Sequence, residues 1–173
     1  MSIEAGTKNR LLIVDDEPTN IHILSNILSE DYEIRAANNG ERAIEAAKSQ
    51  SPDLILLDMI MPGLDGLQVC KLLGENESTK DIPVIFVTSM SDPANEELGL
   101  QAGAVDYISK PVSPPIVKAR VKIHLQNFLT VKFLEGLLSS RDMSMEGRKP
   151  RLSLCSCLSR EPNSRRSVRR HIQ

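Results

Sequence analysis

Leu11-Leu12-Ile13-Val14-Asp15-Asp16-Glu17-Pro18 is the stretch that decides the fold. Four successive apolar residues without polar alternation read as a short strand covered on both faces, the habit of parallel sheets. Pro18 suits the first turn of a helix, where its missing N–H leaves nothing unpaired. Ile21, Leu24, Ile27 and Leu28 then recur at helical spacing. The segment is therefore strand, loop, helix, with two carboxylates at the strand's carboxyl end.

The same unit repeats outward along the chain. Tyr32–Ala37 reads as a second strand, and Asn38-Asn39-Gly40 turns into a helix carrying Ala43, Ile44 and Ala47. After Ser51-Pro52, Asp53–Leu57 forms a third strand that delivers Asp58. The loop from Met59 to Leu64 leads to a helix over Asp65–Leu73. Ile82–Val87 is the fourth strand, ending at Thr88, and Asp92-Pro93 opens a helix that Gly103 ends. Ala104–Ser109 is the fifth strand, followed by Lys110, and Ser113-Pro114 opens the last helix. Five such alternations predict an α/β, doubly wound, five-stranded parallel sheet of flavodoxin-like type. Right-handed crossovers with one reversal after the second strand give the order 2-1-3-4-5. No internal repeat is visible.

In such a sheet, groups at the carboxyl ends of the strands converge on one crevice. Asp15, Asp16, Asp58, Thr88 and Lys110 all stand there. Magnesium takes hard oxygen ligands, usually one or two carboxylates with phosphate oxygens. A carboxylate can itself attack a phosphoryl group to form an aspartyl phosphate. Lys110 would neutralise the phosphoryl charge from the side opposite the cation. Singly, each residue reads as well as a cap, a turn hydroxyl or a solvated lysine. Five in this order at the strand ends read as one cation-plus-phosphoryl site.

Residues 10 to about 127 resemble the receiver domain of response regulators in two-component signalling. The resemblance rests on Val14-Asp15-Asp16-Glu17-Pro18, Leu57-Asp58-Met59-Ile60-Met61-Pro62-Gly63-Leu64-Asp65-Gly66, Phe86-Val87-Thr88-Ser89 and Gly103-Ala104-Val105-Asp106-Tyr107-Ile108-Ser109-Lys110-Pro111. It implies that Asp58 accepts a phosphoryl group from a sensor histidine kinase. It implies magnesium held by Asp16 and Asp58, by Asp15 partly through water, and by the backbone carbonyl of Ile60. It also implies a Thr88 hydrogen bond to the phosphoryl oxygen, a Tyr107 side chain that swings inward as Thr88 moves, and a cis Lys110-Pro111 peptide. His22, His124 and His171 match no motif and read as helix or tail residues.

A phosphatase of the haloacid dehalogenase type is the competing class. Those enzymes resemble one another in a second Asp two residues after the nucleophile, and here that place is Ile60. Without an acid to activate water, turnover should be poor and the covalent mark should persist. The expectation is a switch, with no catalysis beyond its own phosphorylation and slow dephosphorylation.

The 173-residue length suits one domain with an appendage: 8–127 as the receiver, 128–142 as a helical stalk, and 143–173 as a disordered basic tail. Residues 141–173 carry nine Arg/Lys against three Asp/Glu, or +6. The net charge of −2 then leaves −8 on the rest. No stretch reaches the roughly 18 apolar residues of a membrane span, and a cytoplasmic address is expected. Cys70, Cys155 and Cys157 make neither a disulfide framework nor a zinc site. The lack of Trp and scarcity of other aromatics argue against a nucleic-acid stacking platform, although the tail could serve as a basic arm.

The last helix keeps an approximate 3-4 spacing through Phe128, Val131, Leu134 and Leu138, which predicts a stalk or a homodimer seam. The run from Ser113 to Leu125 is similar to receivers that precede cyclic-di-GMP output domains. Leu138-Ser139-Ser140-Arg141-Asp142 looks like the lead-in to a diguanylate cyclase, from which Met143-Ser144-Met145 departs. The alternative reading is a receiver remnant of a diguanylate cyclase response regulator whose output domain is lost, with residues 143–173 as a truncated or out-of-frame end.

Overall fold

The computed structural model describes residues 8–89 and 93–145, the side chains of 93–96 and 139–145 excepted. The expectations for residues 146–173, including the rest of the basic tail, Cys155, Cys157 and His171, lie outside the described residues, as does Asp92. The chain divides into a unit ending at Leu137 and a second beginning at Leu138; the described part of the second is helical backbone to Met145.

Strands β1 (Arg10–Val14), β2 (Glu33–Ala37), β3 (Leu54–Leu57), β4 (Val84–Thr88) and β5 (Asp106–Ser109) alternate with helices α1 (Pro18–Leu28), α2 (Gly40–Gln50), α3 (Gly66–Gly74), α4 (Pro93–Gln101) and α5 (Pro114–Met145). They form one parallel sheet in the order β2-β1-β3-β4-β5. Strand alternation divides the interior in two. Leu11, Ile13, Leu54, Leu56, Ile85, Val87 and Ile108 pack with α1 and α5 on one face. Leu12, Val14, Ile55, Leu57, Val84 and Phe86 pack with α2 and α3 on the other. Each central strand is buried on both sides, which is why its sequence runs apolar without a break.

Where boundaries differ from the sequence reading, a backbone bond accounts for it. The Tyr32 amide closes the end of α1 on the Leu28 carbonyl, so β2 begins at Glu33. The Ile82 amide turns back to Thr79, and β4 begins at Val84. The Ala104 amide caps α4 on Gly99 before β5 can start. Asn39 caps α2 by accepting from the Arg42 amide, and Asp65 with Gln68 forms a reciprocal capping box on α3.

The helix α5 is continuous from Pro114 to Met145. Its inner row is Val117, Val121, Leu125 and Phe128, all buried. Phe128 is only 9% exposed, and the Lys132 ammonium sits 4.4 Å from its ring centre. It therefore belongs to the domain, while its expected seam partners Val131, Leu134 and Leu138 are exposed.

Candidate functional site

The parallel register brings the strand ends together. Val14 pairs with Leu57 and Leu57 with Phe86, so Asp15 and Asp58 leave adjacent strands at one level, and Thr88 ends the next. The Asp58 amide donates to the Val14 carbonyl at 2.8 Å, tying the two ends. On the far side, Thr88 pairs with Ser109 and the Lys110 amide donates to the Thr88 carbonyl at 2.8 Å.

Lys110 closes the site. Its ammonium donates to Oδ2 of Asp15 and to Oδ2 of Asp58, each at 2.7 Å. Burial by itself would pull the Lys110 pKa down, but the hydrogen bonds to Asp15 and Asp58, with their charge, leave it above the ordinary lysine value. Asp15 is 1% exposed and Asp58 6%. Oδ1 of Asp15 accepts from the Glu17 amide at 2.9 Å and from the Asn20 side chain at 3.0 Å. Oδ1 of Asp58 accepts from the Ile60 amide at 3.3 Å.

Asp16 points outward and is exposed, yet one carboxylate oxygen from each of Asp15, Asp16 and Asp58 can be found within 4.8 Å of the others. Three carboxylates against one ammonium leave a formal excess of two negative charges. Oxygen donors with that excess fit a hard dication such as magnesium. The arrangement divides the labour. Asp15 already serves an amide, an amide side chain and an ammonium, which suits it to hold a cation at one remove. Asp16 has its carboxylate at the open rim.

Thr88 is fully buried at the end of β4, and Tyr107 is partly buried against the α2–α3 side of the core. Ile60, at the place where a phosphatase would need its acid, has a side chain 52% exposed. The Lys110-Pro111 peptide is cis, as expected.

Two contributors escaped the sequence reading. Asn20, the third residue of α1, orients Asp15; the helical spacing alone could have placed it there. Gly66 lies beneath Asp58: a Cβ on it would stand 2.2 Å from the Asp58 carbonyl oxygen and 2.7 Å from the Met59 Cα. Only a residue without a side chain lets α3 start so close to the acceptor loop. His124 also acquired a partner. Its Nε2 lies 2.8 Å from Oδ2 of Asp106, whose Oδ1 accepts from Arg120.

Comparison with known proteins agrees with this geometry. The family model described as the response regulator receiver domain matches residues 11–122. A Vibrio cholerae protein named "Probable cyclic di-GMP phosphodiesterase" is 46% identical over 127 residues, which cover 73% of this chain and 29% of that one. Response regulator PleD of Caulobacter vibrioides is 38% identical over 114 residues, covering 65% of this chain and 25% of that one. The BeF3-activated N-terminal receiver domain of Klebsiella pneumoniae RstA superposes with a TM-score of 0.62 at 34% identity, over 68% of this chain and 98% of the other. The chain spans about a quarter to a half of the curated relatives it matches. Among the described residues, no helix is long and apolar enough to cross a membrane.

Proposed function

We propose, from the premise that this chain belongs to the response regulator receiver domain family, that its phosphoacceptor is Asp58. The observation that carries the assignment is the pair of 2.7 Å bonds from Lys110 to Asp15 and Asp58. Lys110 reaches both carboxylates, but the other oxygen of Asp15 is held by the Glu17 amide and the Asn20 side chain, whereas that of Asp58 accepts a long 3.3 Å bond from the Ile60 amide, which favours Asp58 as the acceptor.

As a phosphoreceiver the chain takes its phosphoryl group from the phosphohistidine of a sensor histidine kinase. One Asp58 carboxylate oxygen forms the bond to phosphorus as the P–N bond breaks, and the imidazole nitrogen keeps the electron pair and takes up a proton. Asp16 and Asp58, with Asp15 through water and the Ile60 carbonyl, would hold magnesium. When bound, that ion supplies counter-charge to the phosphoryl oxygens. Lys110, released in part from Asp58, follows the incoming oxygens as a mobile point charge. Thr88 donates to the new phosphoryl group, and Tyr107, whose hydroxyl is already buried in this structure, repacks behind it. A cleft of about 450 Å³ lined by Asn20, Ile23, Leu24, Lys110, Pro111 and Val112 gives a bulky donor access beside the lysine.

Residues 8–127 form the receiver in this reading, and 128–142 a stalk that passes the signal onward, to an output domain or to a second copy. One relative is named "Probable cyclic di-GMP phosphodiesterase", so an output concerned with that nucleotide is the reading its name favours. No acid stands at Ile60, which weighs against a hydrolase.

The test is incubation with acetyl phosphate and magnesium. The parent chain is expected to gain one acid-stable, base-labile phosphoryl group by mass, and Asp58→Asn none. Equal labelling of the Asn variant would move the acceptor elsewhere.

A further inference from the structure

Asn20 stands where α1 passes the site, and its side chain is committed there. The amide nitrogen lies 3.0 Å from Oδ1 of Asp15 and 3.0 Å from Oε2 of Glu17. Ionised carboxylates only accept, so both N–H bonds of the amide are spent on them. The backbone fixes this clip in place. The amides of Asn20 and Ile21 donate to the Glu17 carbonyl at 3.1 and 3.3 Å, in the first turn of the helix that Pro18 opens.

The consequence falls on Asp15. A carboxylate offers about four lone-pair positions. The Glu17 amide and Asn20 take both positions of Oδ1, and Lys110 takes one of Oδ2. Asp15 thus has little left for direct ligation, and Asp16 and Asp58 are the carboxylates of the cluster able to touch a cation. An amide achieves this without adding charge. A lysine at position 20 would cancel part of the negative excess that draws a cation in.

Cations differ in what they ask of such a site. Magnesium dehydrates reluctantly, keeps a strict octahedron and is bound through one or two carboxylates. Calcium takes roughly six to eight oxygens in a flexible shell, carboxylates included. Two direct carboxylates with a third at one remove suit magnesium, whereas three free ones suit calcium.

We propose that Asn20 is a positioning residue that sets the cation preference of the site: by holding Oδ1 of Asp15 it keeps that carboxylate out of direct ligation and favours magnesium over calcium. This rests on the reading of the cluster as a magnesium site, not on which carboxylate accepts the phosphoryl group.

Titration calorimetry of the full chain with magnesium and with calcium, without a phosphodonor, is the test. Asn20→Ala should lower the ratio of the calcium to the magnesium dissociation constant about tenfold, the lower end of what losing a metal ligand's partner does. Alanine is the better helix former, so the fold should hold, and an unfolding scan without cation checks it. In an Asp15→Ala background the same substitution should change the ratio less than about twofold, because no carboxylate is left to release. A merely structural role would move both affinities together in either background. An unchanged ratio in Asn20→Ala, or an equal shift in both backgrounds, would overturn the proposal while leaving the magnesium reading intact. A parent chain that binds neither cation would overturn both.

Discussion

Gly66 shows how a single residue limits the site. A Cβ there would enter the space of the Asp58 carbonyl and the Met59 Cα, both backbone that cannot step aside cheaply. Gly66→Ala is therefore expected to cost about 1–3 kcal/mol, the usual penalty for overpacking, and to slow Asp58 labelling in the same preparation. Thermal unfolding with a labelling time course measures both. Lys110 adds a pH dependence with a definite sign. Its folded pKa is raised, so its stabilisation is complete below the ordinary lysine value of 10.5 and fades as pH rises through the raised one. In unfolding midpoints taken from pH 8 upward, Lys110→Met should lack that alkaline loss. Asp15, Asp16, Asp58, Thr88 and Lys110 could be grouped from the sequence because each stands at or just past the carboxyl end of a strand. Asn20 and Gly66 were not, because their importance lies in what approaches them from a distant segment.

At the scale of elements, β5 and α5 are fastened by Asp106. Its carboxylate accepts from Arg120, lies against His124, and accepts from its own neighbour's amide at Tyr107. Burial alone would raise its pKa, but Arg120, the Tyr107 amide and His124 hold it below the ordinary carboxylate value. The stability gained is thus present above the ordinary value and lost as pH falls through the lowered one. Asp106→Asn is expected to lower the unfolding midpoint at neutral pH, with the gap to the parent chain narrowing in acid. Phe128→Ala should also destabilise, by about 1.5–3 kcal/mol, since that ring is buried; equilibrium urea unfolding would show it. The central strands were plain in the sequence as uninterrupted apolar runs, whereas β2, at the edge and largely exposed, was blurred at its start. The last helix was harder to read. Phe128 and Val131 are both apolar and three apart, yet one faces the domain and the other solvent. Spacing alone cannot say which of two adjoining rows the fold will cover.

For the molecule as a whole, an excess of carboxylate at the carboxyl ends of β1 and β3 is expected to make stability depend on a divalent cation. Magnesium binding the folded chain alone should stabilise it by about 2.7 kcal/mol at a hundredfold excess over its dissociation constant. Calorimetric scans with and without the ion should show a rise in unfolding temperature that Asp16→Ala largely removes, while Asp15→Ala removes less. A chelator should restore the lower value in the parent chain. The long reach of Lys110, 95 residues back to Asp15 and 52 to Asp58, has a further consequence during biosynthesis. At roughly 5–20 residues per second, a ribosome needs some 3–10 seconds to go from the codon for Asp58 to that for Lys110. Throughout that interval the nascent chain holds the acids of the site without the lysine that will join them. Until translation reaches the fifth strand, Lys110 cannot offset the repulsion between Asp15 and Asp58, so any pairing of β1 with β3 before that point is opposed by like charge at their ends.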